Sequence, residues 1–436
     1  MERRAVVTGL GLVSGYGLGI GALVEGLASA RSAIAPITVF RPDGFPTRLG
    51  ATATAMSAKD HVPKSYRKAT KIMARDTEIA VTAAELAVRD AGLVTREHEG
   101  QTPTYPSART GCSIGAGLIA AETTELTVAL ASAAEGAQFS LGRWGNMGGE
   151  ASGMSNLQPL WMLKYLPNML ACHVTIIHGA EGPSNTITCG EASGLLSIGE
   201  STRVIQRGDA DACFCGGAES KLNPLGMAKM TLMGRLAPAA EDDDPLMVVR
   251  PYSRESLGTL IGEGGGILIV ESEETARARG ARIYAEVAGF GASQTVRSRD
   301  GTTLGLADAT SSALDDARLR AEDIGAIVAG ASGVPREDEA EVASLRAVFG
   351  DRLAQIPIVA LTPMLGDASA GRGGLQACVC AWMASNSTEP ARSCGSVSSL
   401  MLSARSASAV RAGGAILACS GSIGGQNAAV IFRRLG

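Results

Sequence analysis

Histidine is scarce in this sequence, and its distribution limits the chemistry that the chain can perform. Only four occur among 436 residues, at His61, His98, His173 and His178. Because none follows position 178, the second half of the chain supplies no imidazole for proton transfer or metal binding. His173 and His178 lie on an apolar segment, so we interpret both as buried structural or interface histidines.

An excess of charge of either sign is also absent. The sequence has 39 Lys and Arg residues against 43 Asp and Glu residues, mixed along the chain. This balance excludes the basic footprint of a nucleic-acid-binding protein. One short basic group is expected on a solvated helix face, although the acidic surface of a carrier protein could dock on it. Its members are Lys64, Arg67, Lys68 and Lys71.

Long apolar runs and paired cysteines are missing as well. No stretch of about 18 apolar residues occurs, and glycines interrupt the apolar stretch near the N-terminus, so we expect neither a membrane span nor a signal peptide. Nine cysteines are scattered without CxxC spacing, which indicates reduced thiols instead of a disulfide framework or a zinc site. These absences predict a cytoplasmic protein with no membrane partner, no nucleic-acid partner and no cofactor.

The composition that remains is typical of a large α/β protein. A hydrophobic content of 45% with 4% aromatics and 55 glycines indicates small-residue packing and many tight turns. Strand, glycine turn and helix alternate along the chain, and the alternation begins again near Ala281. We therefore predict a layered α/β sheet duplicated in two halves, residues 1–272 and 273–436.

Three segments carry more specific predictions. The spacing of apolar residues predicts one long amphipathic helix over 67–92. Residues 262–266 (GEGGG) are expected to form a glycine-rich turn ahead of a strand over 266–271, with Glu263 as a buried structural carboxylate. The region at about 115–170 has the composition of a functional or interface insertion, since it is rich in Ala, Ser, Gly and Met with little periodic order.

The chemistry is expected at the corner formed by Thr188, Cys189 and Gly190. A helix is predicted over 191–207, and its first turn would place free N–H groups and the positive end of the helix dipole at this corner. Cys189 is one candidate nucleophile, because a helix N-terminus can lower the pKa of a thiol. Glu191 is the other candidate. The plainer interpretation of Cys189 is a small residue buried in the core, and that of Glu191 is a carboxylate that stabilises the helix N-terminus.

Several motifs, taken together, resemble the β-ketoacyl-acyl-carrier-protein synthases of the thiolase superfamily. They are AVVTGLGLVSGYGLG at the start, GPSNTITCGEASG and ADACFCGGAES in the middle, RPYSRESLGTLIGEGGGILIVE at 250–271, and GSIGGQNAAVIF near the end. The resemblance covers nearly the whole chain. It implies a thiolase-like, duplicated, five-layered αβαβα fold, a dimer with the 115–170 insertion at its interface, and acyl carrier protein as a partner.

The resemblance also implies where the catalytic groups would stand, and this sequence departs at each position. The family's nucleophilic Cys aligns with Glu191, its two His with Gly330 and Asp367, and its Lys with Thr362. The pocket is expected to include Cys189 and the turn Ile423, Gly424 and Gly425, where Ile423 replaces a gating Phe. These substitutions remove every group needed for acyl transfer and decarboxylative condensation.

The substitutions resemble those in the chain length factors of type II polyketide systems. We therefore expect a catalytically silent subunit, paired with an active ketosynthase or with itself, that shapes an acyl-chain pocket in a polyketide or specialised fatty acid pathway. A second hypothesis is a divergent acyl-thioester enzyme, an acyltransferase or decarboxylase, that uses Glu191 and Asp367. A third makes Cys189 the nucleophile after a local shift of the corner.

Overall fold

The computed structural model describes residues 3–54, 56–146, 152–295, 305–386 and 414–435. Its main sheet has 13 strands, of which three short ones, Gly17–Leu18, Ala35–Pro36 and Leu49–Ala51, lie off the main path. The other ten form one continuous path, five in each half of the chain. In the first half they are β1 (Ala5–Ser14), β2 (Thr110–Gly115), β3 (Ser184–Ile187), β4 (Ala212–Ser220) and β5 (Ile261–Ser272). In the second half they are β6 (Ala285–Gln294), β7 (Ile324–Ala329), β8 (Ile358–Ala360), β9 (Ala415–Gly421) and β10 (Gln426–Arg433).

Helices connect and cover these strands. In the first half they are α1 (Gly19–Ala28), α2 (Arg75–Ala91), α3 (Thr123–Ser132), α4 (Leu141–Gly145), α5 (Trp161–Lys164), α6 (Met169–His178), α7 (Ser193–Arg207), α8 (Pro224–Leu232) and α9 (Pro245–Val248). In the second half they are α10 (Glu273–Ala278), α11 (Gly305–Ala317), α12 (Pro335–Phe349), α13 (Thr362–Leu365) and α14 (Ala370–Asn386). No helix in the described part of the chain is long and apolar enough to cross a bilayer.

The strand topology is the same in both halves, which confirms the predicted duplication. The order across the sheet is β8-β7-β9-β10-β6-β1-β5-β4-β2-β3. In each half the first strand pairs antiparallel with the last, and the last pairs antiparallel with the fourth. The fourth pairs parallel with the second, and the second pairs parallel with the third. A short β1–β6 ladder, which includes Val6 opposite Glu286, joins the halves.

Five layers result from this arrangement, as expected of a thiolase-like αβαβα fold. Helices α7 and α14 lie side by side in the middle layer, where α14 packs on strands of both halves. The two helices approach closely through glycines: a Cβ on Gly194 would lie 2.8 Å from the Gly374 backbone nitrogen. Helices α2 and α6 form one outer layer, and α11 and α12 form the other.

Two element predictions were wrong. The helix expected over 67–92 is divided into a 3₁₀ helix, Lys64–Ile72, and α2. Met73 and Ala74 break it because both are extended and buried in the core. The turn expected at 262–266 is instead the first part of β5. Its glycines allow close backbone approach, since a Cβ on Gly262 would lie 2.1 Å from the Leu365 carbonyl oxygen.

Glu263, in the same strand, is a buried carboxylate, as predicted. It is 4% exposed, and it accepts hydrogen bonds from the Arg75 guanidinium, from the Ser220 hydroxyl at 2.9 Å and from the Ala53 backbone N–H at 2.9 Å. These donors come from three separate segments, so Glu263 ties α2 and the end of β4 to β5.

The segment between β2 and α6 carries α3, α4, α5 and a short hairpin, Ala134–Glu135 with Gln138–Phe139. Residues 147–151 of this segment lie outside the described residues. Large apolar side chains are exposed along it: Leu118, Val128, Phe139, Leu141, Leu160 and Met162 are each more than half exposed. The segment begins next to β3, the last strand of the sheet order, since the Ala116 N–H donates to the Ile187 carbonyl at 2.9 Å. An exposed surface of large apolar side chains is typical of a protein interface.

Candidate functional site

The corner after β3 has the shape that the sequence predicted, with one correction. Gly190 adopts a left-handed backbone conformation, φ 57°, which an L side chain rarely tolerates. Glu191 lies in a 3₁₀ turn, Gly190–Ala192, that precedes α7, and not in the first turn of the helix itself. Ser193 fixes the turn: its hydroxyl accepts from the Cys189 backbone N–H at 2.8 Å and donates to the Gly190 carbonyl at 2.7 Å.

The predicted pocket turn packs against this corner. A Cβ on Gly190 would lie 3.3 Å from the Ser422 Cβ, and the Ser420 hydroxyl donates to the Glu191 carbonyl oxygen at 3.1 Å. Ile423, at the turn, is half exposed, and Gly425 has a positive φ of 89°. The turn 423–425 is thus next to Glu191, although its role in a pocket stays a prediction.

Glu191 is bound by a buried arginine. Arg235 Nη1 donates to Glu191 Oε1 at 2.6 Å, and the two side chains are 1% and 5% exposed. Arg235 lies in the loop that follows α8. Its backbone carbonyl accepts a hydrogen bond from the Thr259 N–H at 2.8 Å, which holds the loop in place. The guanidinium therefore reaches the corner from a segment remote in sequence.

The same guanidinium contacts two more carboxylates, both from the second half of the chain. Arg235 Nη2 donates to Glu337 Oε2 at 2.9 Å and lies 3.0 Å from Asp367 Oδ2. Asp367 is fully buried, and the Glu337 side chain is 25% exposed. Burial alone would lower the pKa of Arg235, but the charges of Asp367, Glu191 and Glu337 raise it. We call these four residues the Arg235 cluster.

Asp367 stays ionised in this cluster. Burial would raise its pKa, but Arg235 and then Arg372 outweigh the burial effect and lower it. The Ser369 backbone N–H also donates to Asp367 Oδ1 at 2.9 Å. A carboxylate held in this way is a poor proton donor at neutral pH.

The other two predicted positions lie together close by. The Thr362 hydroxyl donates to the Gly330 carbonyl oxygen at 3.2 Å. The Glu341 carboxylate accepts from the Gly330 and Ala331 N–H groups at 2.8 Å each, and a Cβ on Gly330 would lie 2.9 Å from Glu341 Oε1. Arg372 connects this pair to the cluster, since its Nη1 lies 3.5 Å from the Gly330 carbonyl and 4.0 Å from Asp367 Oδ1.

A buried lysine lies at the end of β4, where α14 begins. Lys221 forms an ion pair with Glu219 and donates to the Leu118 carbonyl at 2.8 Å. Glu219 also accepts from the Ala370 N–H at 2.7 Å. Burial and then the Lys229 charge lower the pKa of Lys221 to about 8, against the opposing charge of Asp76. Lys221 thereby fixes the start of the apolar insertion.

The remaining candidates are not placed for nucleophilic or acid–base chemistry at the corner. Burial raises the pKa of the Cys189 thiol, whereas an activated thiol needs a lowered one. His173 pairs with the Tyr66 hydroxyl at 2.8 Å and His178 with the Thr95 hydroxyl at 3.0 Å. Both histidines are buried in α6, as predicted, and burial lowers the pKa of each.

Sequence reasoning missed Arg235, Glu337 and Arg372. The signal that was available for Arg235 is a single arginine in an otherwise apolar stretch, LMGRLAPAA at 232–240. Among the described residues no group of three or more His, Cys, Asp and Glu side chains has the arrangement of a metal site. The carboxylates at the corner have a guanidinium as their counter-ion.

Comparisons with known proteins show the family of the chain. The β-ketoacyl synthase N-terminal domain family matches residues 2–276, and the C-terminal domain family matches 284–393. The chain is 30% identical to 3-oxoacyl-[acyl-carrier-protein] synthase 2 of Vibrio cholerae over 87% of this chain and 85% of that protein. It is 31% identical, over the same shares, to a Streptomyces halstedii protein named as a polyketide β-ketoacyl synthase.

Two solved structures are similar along the full length of both chains. A β-ketoacyl synthase from Burkholderia phymatum has a TM-score of 0.81 at 25% identity. The ishigamide ketosynthase/chain length factor has a TM-score of 0.77 at 28% identity. Both similarities cover 100% of this chain.

Proposed function

The chain belongs to the β-ketoacyl synthase family, and from this premise we propose that it is a catalytically silent, chain-length-factor-like subunit. It pairs with an active ketosynthase, and the pair extends acyl chains held on acyl carrier protein in a type II polyketide or specialised fatty acid pathway. The observation that carries the proposal is the Arg235 cluster. Glu191 and Asp367, which align with the family's nucleophile and second histidine, are both bound to one guanidinium.

Condensation needs a nucleophile that attacks a thioester and neutral donors that stabilise the developing oxyanion. A carboxylate that already binds the Arg235 guanidinium is a weak nucleophile, since the ion pair stabilises its negative charge. An acyl group that approached Glu191 through Oε1 would also have to separate the buried ions, and breaking such a pair costs about 3–5 kcal/mol. Neither Gly330 nor Thr362 has a side chain that replaces an imidazole or an amine.

Two features support a ketosynthase as the partner. The insertion exposes large apolar side chains, as a surface that pairs with a similar subunit would. One structural relative is itself a ketosynthase/chain length factor.

The basic group at Lys64, Arg67, Lys68 and Lys71 is solvent-exposed, which suits contact with an acidic carrier protein.

The experiment is co-expression with a ketosynthase that retains its cysteine, followed by a condensation assay with malonyl- and acyl-carrier substrates. This chain alone should give no product, and the purified pair should be active. Glu191→Gln in this chain should leave the pair's activity within about twofold, because a silent site contributes no chemistry. Replacing the partner's cysteine should abolish it. Product formation by this chain alone, or a stable homodimer that ignores every ketosynthase, would refute the proposal.

One observation keeps a second candidate, a divergent acyl-thioester enzyme, worth testing. Glu191 Oε2 has no hydrogen-bond partner among the described residues although it is buried, so this oxygen is the one that could attack a carbonyl. Incubation with acyl-thioesters and intact-mass spectrometry tests this candidate. An acyl adduct that Glu191→Gln removes would favour the enzyme, and the absence of adduct and turnover would exclude it.

A further inference from the structure

The segment that follows α2 borders a cavity of about 200 Å³ in the first half of the chain. Residues 93–101 of this segment form neither helix nor strand, and all of them except Glu97 line the cavity. We call them the cavity flap. The cavity lies at the amino ends of β2 and β4, whereas the corner follows the carboxyl end of β3, so the flap is separate from the corner.

A few hydrogen bonds hold the flap to its surroundings. The Val94 N–H donates to the Thr104 hydroxyl, and the Thr104 N–H donates to the Val94 carbonyl, both at 2.9 Å. The Arg96 N–H donates to the carbonyl of His178 in α6 at 3.3 Å, and the Thr95 hydroxyl lies 3.0 Å from His178 Nδ1. A segment held by so few bonds opens locally at a small free-energy cost.

Glu97 is buried against a neutral side chain. Its own side chain is 11% exposed, and Glu97 Oε1 lies 3.6 Å from His178 Nδ1, beyond hydrogen-bond distance. Burial and then the nearby His98 lower the pKa of His178 to about 3, so this imidazole supplies no positive charge to Glu97 at neutral pH.

The other charged groups that act on Glu97 come from α2, and they leave it without a counter-ion of its own. Glu85 is a second carboxylate, which accepts from the Arg89 guanidinium and lies 3.0 Å from His61 Nδ1. Burial and then the charge of Glu85 raise the pKa of Glu97 to about 7, against the opposing charge of Arg89. An ionised Glu97 is therefore poorly stabilised in the closed flap, whereas water solvates it when the flap is open.

We propose that the cavity flap is a proton-sensitive closure, which stays closed while Glu97 is protonated and opens when Glu97 ionises. The pKa of Glu97 is about 7 in the closed flap and about 4.3 when the side chain is in water. Between these values the closed flap binds more protons than the open one. The closed state therefore loses stability as the pH rises from about 4.3 to about 7, and the loss is complete above that range.

Hydrogen exchange of the full chain, followed by mass spectrometry on peptides that cover the flap, tests the proposal. Each measured rate is divided by the intrinsic rate at the same pH, which gives the protection of the flap at pH 5 and pH 8. Glu97→Gln keeps the shape of the side chain and cannot ionise. Glu99→Gln is the matched control, because Glu99 is a carboxylate of the same flap and is exposed.

The protection of the flap in the wild type and in Glu99→Gln should fall by at least about tenfold from pH 5 to pH 8. In Glu97→Gln it should change by less than about threefold. Constant protection in the wild type, or an equal fall in Glu97→Gln, overturns the proposal. If Glu97→Gln does not fold, the carboxyl ¹³C resonance of Glu97 in the wild type must titrate with a midpoint near 7, and a midpoint near the ordinary value of about 4.3 overturns it.

Discussion

Arg235 Nη1 and Glu191 Oε1 lie 2.6 Å apart with both side chains almost completely shielded from solvent. The two residues are 44 positions apart in the chain, and the same guanidinium reaches Glu337 and Asp367 in the second half. Charge that is buried so deeply is tolerated only when it is paired. The Arg235 cluster therefore ties the two halves of the chain together at the corner.

Replacing Arg235 tests how much the Arg235 cluster contributes to the stability of the fold. Arg235→Met should lower the free energy of unfolding by about 3–5 kcal/mol, because it leaves Glu191 buried without a counter-ion and Asp367 with only the more distant Arg372, at 4.0 Å. Adding Glu191→Gln and Asp367→Asn to Arg235→Met should recover much of the loss, since the buried charges are then gone. Urea unfolding of the three proteins measures both effects.

A surface arginine provides the control for that series. Arg48 pairs with Asp43 at 3.4 Å, and both side chains are about half exposed or more, so Arg48→Met should cost less than about 1 kcal/mol. If Arg235→Met costs no more than Arg48→Met, the cluster contributes little to stability and the structural account of it is wrong.

The pH dependence of the unfolding free energy should reveal the lowered pKa of Lys221. Its pKa of about 8 in the folded chain is below the value of about 10.4 expected when unfolded. Between these values the unfolded state binds more protons, so stability rises with pH. The free energy of unfolding of the wild type, relative to Lys221→Met, should therefore increase from pH 8 to pH 10 by up to about 3 kcal/mol.

Lys59→Met is a suitable control for this measurement, because Lys59 is exposed on a short 3₁₀ helix. Its unfolding free energy should follow the wild-type curve over the same range. A wild-type curve that runs parallel to that of Lys221→Met would mean that Lys221 titrates normally and is not desolvated.

Cys189 should be an unreactive thiol. Because burial raises its pKa, little thiolate is present at pH 8, and iodoacetamide should alkylate it more slowly in the folded chain than in the urea-unfolded chain. Peptide mass spectrometry, with Cys189→Ser as the blank, gives the rate at this position. Faster labelling in the folded chain would support the hypothesis that Cys189 is a nucleophile.

The sequence predicted much of the fold for physical reasons that can be named. Strand and helix periodicity, with stops such as the left-handed Gly92 after α2, depends on neighbours within a few residues. The same local evidence fails where tertiary packing decides. The buried, extended pair Met73 and Ala74 interrupts a good helical pattern, and the glycines at 262–266 permit close packing inside a strand instead of a turn.

The same difference between local and tertiary information applies to the candidate site. Motifs that are contiguous in sequence point to Glu191, Gly330, Thr362 and Asp367, whose match to the family's catalytic positions stays a prediction. Arg235 could not, because its partners lie 44 and 102 positions away and only the folded chain brings them together. The sequence alone presents a choice between Cys189 and Glu191 as the nucleophile, whereas in the folded chain Arg235 binds both Glu191 and Asp367.

The apolar insertion should be the surface that holds a partner subunit. Leu160 is 72% exposed beside α5, and Leu160→Asp should weaken the complex with an active ketosynthase by at least about tenfold, since a charge buried in an apolar interface is left unpaired. Leu232, which is 89% exposed at the end of α8, is the matched control, and Leu232→Asp should not change the dissociation constant measured by analytical ultracentrifugation. Equal effects of the two substitutions would place the partner elsewhere, whereas loss of binding with Leu160→Asp alone would assign the interface to the insertion.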